Sequence, residues 1–367
     1  MMKNNDIFNE DFEDGYYHIG KDVEDYPECT IFIVWSPRGP GKTYGGLRYP
    51  YTKNFPIIYM KRTVEDVNFI CEYSGEDDFD PSPWKPLNRD FGTNVKPRLI
   101  KKGIGIFHDV DHEGNPIGKP RDFVLALNKI KSIKGIDLTE ADWMEFDEFI
   151  PQTGEIVRRA EGEMLLDLYM TVNRDRQKRG RPPLKLILFA NSEEISTPIT
   201  NALEVVDIMA EMLAKKLSIY VDKERGIFLH HILPGEFKST EIDKEGMYKA
   251  MQGTAWARKA YEGEFANNDF SNVCEMSLKH MRCLYHVHFR SAHDMYIYLN
   301  PNTGMYYATN ARGNFIQSYD LDKENDQKRF YLEHVIDLRN ECIEDRFKFR
   351  KYSYYDLIMN YKKFYEV

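Results

Sequence analysis

Cysteine is scarce and scattered in this chain. Its 367 residues hold five, Cys29, Cys71, Cys274, Cys283 and Cys342, odd in number and without a Cys-x-x-Cys pair. That excludes a disulfide-framed scaffold and a thiolate zinc module, and reads as reduced thiols in a cytosolic protein. No apolar run approaches the ~18–20 residues of a membrane span, and Met1-Met2-Lys3-Asn4-Asn5-Asp6 is no signal peptide. Internal repeats and low-complexity tracts are missing. Net positive charge is missing too, since the balance is −9. The deficit is uneven, however. Asp6, Glu10, Asp11, Glu13, Asp14, Asp22, Glu24, Asp25 and Glu28 face only Lys3 and Lys21, so the first 28 residues form an acidic leader at −7 and the rest stands near −2. A local basic groove for nucleic acid is therefore permitted, because binding follows clustered Lys and Arg rather than the total. The visible clusters are Lys178-Arg179-Gly180-Arg181 and Lys129-Ile130-Lys131-Ser132-Ile133-Lys134. Each is more often a solvated face or a loop.

Against these absences stand 42% hydrophobic and 14% aromatic residues, ample for packed cores, in a chain long enough for two domains. The most informative stretch is Thr30-Ile31-Phe32-Ile33-Val34-Trp35-Ser36-Pro37-Arg38-Gly39-Pro40-Gly41-Lys42-Thr43-Tyr44. An apolar, β-branched run breaks into a Gly/Pro turn, and Gly-Lys-Thr then opens a helix, the context a phosphate-binding loop needs. Backbone N–H groups of Ser36 to Tyr44 are expected to converge on phosphate oxygens at a helix N-terminus. Lys42 is expected at the β/γ-phosphates and the Thr43 hydroxyl on Mg2+. Ser36 stands where the usual pattern has its first glycine. The reading is a binder of a nucleoside triphosphate.

About a hundred residues on, Ala141-Asp142-Trp143-Met144-Glu145-Phe146-Asp147-Glu148-Phe149-Ile150 reads as an apolar strand ending in two carboxylates. A strand-end Asp anchors the Mg2+ shell in P-loop NTPases, here Asp147. A following Glu, here Glu148, can orient and deprotonate water. Glu145 interrupts the apolar run and is expected at a solvated edge.

Further strands are expected at 30–35, 56–60 and 184–190, a helix over 161–173, and a β-ribbon over 98–127 turning at 112–116. Strands alternating with helices imply a mostly parallel sheet covered on both faces. Asn191 ends the strand at 184–190, either as a sensor of the γ-phosphate or as a strand terminator. Asn173-Arg174-Asp175-Arg176 follows a helix, where cations serve the dipole or project as an arginine finger.

With these motifs in place the sequence resembles the DNA-packaging (encapsidation) ATPases of small, short-tailed, protein-primed phages, distant relatives of large terminase subunits. Ser36 to Tyr44, Phe146-Asp147-Glu148-Phe149 and Thr171-Val172-Asn173-Arg174-Asp175-Arg176 carry the resemblance, followed by Phe189-Ala190-Asn191-Ser192. A fainter echo runs from Gln252-Gly253-Thr254 to Ala266-Asn267-Asn268-Asp269-Phe270, so about 30–310 is covered. The resemblance implies an α/β fold: an additional-strand (ASCE-type) P-loop ATPase domain with a mostly parallel sheet, and a smaller C-terminal α+β domain, a degenerate RNase H-like fold used for docking. It implies a homomeric ring, a pentamer, at the portal (connector) of a procapsid, driving double-stranded DNA inside by ATP hydrolysis in the host cytoplasm. A structural RNA is a further partner in view, and a membrane is not. By position, Lys42 and Thr43 bind phosphate and Mg2+, Asp147 supports the metal, Glu148 activates water and Asn191 reports γ-phosphate loss. Arg174 is the expected finger in trans, Arg176 its alternative, and Arg38 acts in cis. DNA contacts are expected on Lys and Arg within 98–135.

The expected domains are the leader at 1–28, the ATPase at 29–205, a linker subdomain at 206–240 and the docking domain at 241–367. A helix over 200–217, a hairpin over 218–232, a helix over 241–262 and strands at 282–290, 294–299 and 304–309 fill the second half. The strand Cys283-Leu284-Tyr285-His286-Val287-His288-Phe289-Arg290 carries no carboxylate, which argues against two-metal nuclease chemistry. His286 and His288 share one strand face as conceivable metal ligands, with no third in view. The aromatic segment Tyr352–Tyr365 packs on its own domain or on a partner. Competing readings are a small-molecule kinase, which wants an acceptor lid rather than Glu148, and a nucleotide switch, which needs neither Glu148 nor a finger. Another oligomeric DNA motor, a helicase or loader, would share every ATPase residue named.

Overall fold

The computed structural model describes residues 14–72, 80–132, 138–152, 154–191, 194–238, 246–254, 257–258, 268–290 and 293–367. Ile133, Lys134, Ser192, Ala266, Asn267 and the first 13 residues of the leader, all named above, lie outside the described residues. The chain divides into two compact units, Met1–Ala202 with Lys216–Ala266, and Leu203–Lys215 with Asn267–Val367. The stretch expected as a linker, 206–240, is thus shared between them.

In the first unit the apolar run after Thr30 becomes β1 (Ile31–Ser36), buried from Phe32 onward. It is flanked in parallel by β7 (Lys185–Asn191), with Ser36 opposite Asn191, and by β9 (Ile227–His231). Next come β6 (Trp143–Asp147) and β2 (Ile57–Lys61), again parallel. β7 is therefore interposed between β1 and β6. Continuous Val/Ile/Leu/Phe runs are what a parallel sheet buried on both faces requires. Around the strands pack α1 (Ile19–Asp25), α2 (Lys42–Thr52), α3 (Val64–Ile70), α4 (Lys85–Phe91) and α5 (Glu161–Asn173). The last coincides with the helix expected at 161–173. α3 opens on a Thr63/Asp66 capping box, a local signal absent from the expectations above.

The ribbon expected over 98–127 is three strands, β3 (Val95–Lys101), β4 (Ile104–Val110) and β5 (Pro116–Ala126), paired antiparallel. β5 then joins β2 in parallel, so the ribbon extends the main sheet. The hairpin expected at 218–232 is β8 (Ile219–Asp222) with β9, at the other edge.

The leader is structured over its described part. Tyr17 and Ile19 are fully buried, and the Tyr17 hydroxyl donates to Asp22 (2.8 Å). Asp22 meets His230 Nδ1 at 2.8 Å, and His230 Nε2 meets Glu236 at 2.8 Å. Burial alone would lower the His230 pKa, but its two carboxylate partners outweigh burial and raise it to about 9. A pKa raised on folding stabilises fully below the unfolded value of about 6.5 and loses that contribution as pH rises through the folded value. Wild-type melting temperature should therefore fall between about pH 7 and pH 10 by the equivalent of roughly 2–3 kcal/mol. His230→Gln should melt lower at neutral pH and lose that slope, as followed by circular dichroism.

The second unit holds a five-stranded mixed sheet in the order β13-β10-β11-β12-β14: β10 (Arg282–Phe289), β11 (His293–Leu299), β12 (Tyr306–Thr309), β13 (Gln317–Asp320) and β14 (Phe347–Phe349). β10–β11 and β11–β12 are antiparallel, whereas β10–β13 and β12–β14 are parallel. Val287, Met295, Ile297, Phe330 and Phe347 form its core with Tyr354, Leu357, Ile358 and Tyr361. The aromatic C-terminal segment thus packs on its own unit. Its helix is anchored where Ser353 donates from N and Oγ to the Asp207 carboxylate, both at 2.8 Å. The single helix expected at 200–217 is two, Pro198–Ala202 and Val206–Lys215, interrupted where Glu204 takes a left-handed φ of 53°. Of the helix expected at 241–262, Gly246–Met251 is described.

Candidate active site

The carboxyl ends of β1, β6 and β7 open on one cleft of about 240 Å³, lined by Arg38 to Tyr44, Asp147, Glu148, Ala190 and Asn191. The chain turns back through Gly39 (φ 100°) and Gly41 (φ 92°), left-handed conformations that glycine adopts without a Cβ penalty. Gly41 directly precedes α2, so the loop ends at a helix N-terminus. One turn in, Gly46 lets α2 lie on the sheet. A Cβ there would stand 2.4 Å from the Phe189 ring and 2.6 Å from Glu145 Oε2.

Lys42 reaches back across the loop, donating to Ser36 Oγ (2.5 Å) and Asn191 Oδ1 (3.3 Å). Burial pulls its ammonium down to about 8, against the opposing pull of Asp147 and Glu148. A buried cation so placed complements an anionic ligand. Thr43 Oγ1 donates to Asp147 Oδ2 at 3.2 Å, bringing together a hydroxyl and a carboxylate 104 positions apart. That oxygen-only donor pair suits a hard cation such as Mg2+. Arg38 is exposed at the loop rim.

Glu148 follows the buried Asp147 with φ 58°, an uncommon conformation for a side-chain-bearing residue. Its carboxylate is half exposed at the cleft. Three residues not singled out from sequence hold this pair. Tyr59 donates its hydroxyl to Asp147 (2.9 Å). Lys61 Nζ bridges Asp147 (3.0 Å) and Glu148 (3.2 Å). Burial lowers the Lys61 pKa, but the two carboxylates more than reverse this. Arg62 pairs with Glu161 at the start of α5 and donates to the Phe149 carbonyl (2.7 Å). The available signal was Lys61-Arg62 itself, two cations ending a buried strand.

Glu145 lies at no solvated edge. It is fully buried against α2 and receives the Trp143 indole N–H (3.3 Å). Burial, reinforced by Asp147, pushes its pKa well up. Alternation along β6 places Glu145 and Asp147 on one face, where a second negative charge beside the first is disfavoured.

The arginines separate clearly. Arg174 follows α5 with 81% of its side chain exposed and Asp175 3.8 Å away. Arg176 is 2% exposed. Its guanidinium binds the Pro182, Ala141 and Thr139 carbonyls and the Asp142 carboxylate. Arg176 therefore clamps the start of β6 rather than projecting. Arg181 is used similarly, donating to the Thr139 and Glu140 carbonyls, whereas Lys178 and Arg179 of that cluster are exposed. In the second unit His286 spends both ring nitrogens, on Ser318 (2.9 Å) and Asp294 (2.8 Å).

No helix among the described residues is long and apolar enough to cross a membrane. No protein-family model matches the chain, and no curated protein matches it in sequence. Solved structures do match. One described as the Phi-28 gp11 DNA packaging motor is similar over 96% of this chain and 98% of its own, with a TM-score of 0.60 and 14% identity. The bacteriophage Phi-29 viral genome packaging motor assembly is similar over 95% and 99%, with a TM-score of 0.60 and 15% identity. Along nearly its whole length the chain thus has the fold of the phage DNA packaging motors that its motifs resemble.

Proposed function

We propose that this chain is the ATPase subunit of a viral DNA packaging motor, acting in a homomeric ring on the portal of a procapsid in the host cytoplasm. One observation carries the reading. Lys42, Thr43, Asp147, Glu148 and Asn191, spread over 150 positions of sequence, line one cleft in a chain folded throughout like packaging motor subunits. The interposed β7 supports the additional-strand assignment.

In this mechanism the loop from Ser36 to Thr43 cradles the ATP phosphates, and Lys42 exchanges Ser36 and Asn191 for phosphate oxygens. Thr43 and Asp147 would hold Mg2+, which when bound screens phosphate charge. Glu148 orients water and takes its proton. Asn191, touching Lys42 in the described state, senses the γ-phosphate. Arg174 serves a neighbour's nucleotide in trans, Arg38 its own in cis, and Arg176 is structural. The exposed Arg98, Lys101, Lys102 and Lys119 on the ribbon are offered to DNA phosphates, and the second unit to docking. A pentameric ring and a structural RNA remain part of the proposal through the resemblance.

The test is ATP turnover by the wild-type protein with linear double-stranded DNA and matching procapsids. Stimulated turnover, with DNA becoming nuclease-resistant in step with ATP consumption, is the expected result. Turnover indifferent to both additions would remove the motor and leave a bare nucleotide hydrolase.

A further inference from the structure

The second unit carries a cluster that the nucleotide site does not use. His288 on β10 stands opposite Asp320 on β13 in the parallel register and opposite Asp294 on β11 in the antiparallel one. Three neighbouring strands thus bring one imidazole and two carboxylates to the same level, and Asp322 adds a third carboxylate from the turn after β13. One ligand atom each of His288, Asp320 and Asp322 lies within 4.8 Å of the other two. His288 Nε2 is 3.9 Å from Asp322 Oδ2. The turn is held to the strand by the Leu321 N–H on the His288 carbonyl (2.8 Å).

The Asp294 contact decides how the imidazole is used. His288 Nδ1 lies 2.9 Å from Asp294 Oδ1, and a carboxylate acceptor requires that nitrogen to carry the hydrogen. Nε2, the ring's other nitrogen, lies on the Asp322 side and is the atom left to ligate. A histidine oriented by a carboxylate through its other nitrogen is the usual support of a metal ligand. Lys323 pairs with Asp320 (2.9 Å), but its side chain is 72% exposed, and an exposed pair of this kind is held weakly.

We infer that His288, Asp320 and Asp322 bind a single divalent cation, with Asp294 as the positioning residue. Imidazole beside carboxylates favours Zn2+ or Mn2+ over the all-oxygen preference of Mg2+ and Ca2+. Three protein ligands leave further coordination to water. The cation ties β10 and β13 to the following turn, and a lone ion with these ligands is no two-metal nuclease.

The test is calorimetric titration of the nucleotide-free, full-length protein with Zn2+, and with Mn2+ followed by its paramagnetic resonance. Wild type should bind one ion that millimolar Mg2+ does not displace. His288→Ala and Asp322→Asn should each weaken binding at least tenfold, and Asp294→Asn by roughly 10–100-fold. Lys42→Ala, in the other unit, should bind as wild type does. Asp322 lies in an exposed turn, so its variant keeps the test valid even if His288→Ala fails to fold. Equal binding by wild type and Asp322→Asn, no binding by wild type, or displacement by Mg2+ would each overturn the assignment.

Discussion

Glu148→Gln is expected to bind ATP within about twofold of wild type while hydrolysing it 10²–10⁴-fold more slowly, the range a positioned general base supplies. The substitution keeps volume and shape but removes the proton acceptor. The side chain reaches the cleft from a left-handed backbone position, held from behind by the Arg62 bond to the Phe149 carbonyl. Lys61 keeps its contact with Asp147 in the variant, so the metal-side carboxylate stays paired and nucleotide affinity should survive. Single-turnover hydrolysis measured beside equilibrium nucleotide binding separates the two effects. Equal loss of both would mean that Glu148 shapes the pocket, and hydrolysis at the wild-type rate would sink its role as base.

Arg174→Ala is expected to leave the isolated subunit unchanged and to slow the assembled motor by ~10³–10⁵, the worth of an arginine finger. The reasoning is one of availability. A finger must leave its own subunit and enter a neighbour's site, and the Arg174 side chain is largely in solvent, with one distant carboxylate beside it among the described residues. Arg176→Ala should behave differently. It strips partners from several buried carbonyls and from Asp142, so it should lower the melting temperature of the monomer, since buried polar groups without partners cost about 1–3 kcal/mol each. Mixing inactive Glu148→Gln subunits with Arg174→Ala subunits supplies the decisive measurement. Activity should reappear only if the two residues serve sites on different subunits. An Arg174→Ala motor as fast as wild type would remove the finger assignment.

Much of the first unit was legible because its signals are local. The run at 31–35 followed by Gly39, Gly41, Lys42 and Thr43 encodes strand, turn and helix in fifteen consecutive residues. Helix 161–173 declares itself by the spacing of Leu165, Leu168 and Val172, all buried in the structure. Local reading failed at Glu145. A carboxylate within an apolar strand suggests an exposed edge, whereas this one is fully buried beside Gly46. It failed again on the leader, where acidic composition concealed Tyr17, Ile19 and an Asp22 partnered by a histidine 208 positions away. β13 and β14 are short, four and three residues, too brief for periodicity to register.

By itself the sequence determined which residues could meet a nucleotide, since the phosphate loop, the paired carboxylates and their strand contexts are contiguous in the chain. Only the tertiary structure decided which charges are free to act. Arg174 and Arg176 sit two positions apart with the same side chain, yet one is solvated and the other is spent on the carbonyls around β6. His286 and His288 share a strand, yet one has both nitrogens occupied while the other turns a nitrogen toward two carboxylates. A charged group's role depends on its desolvation and on the partners that offset it, and those partners are set by how distant strands come into register.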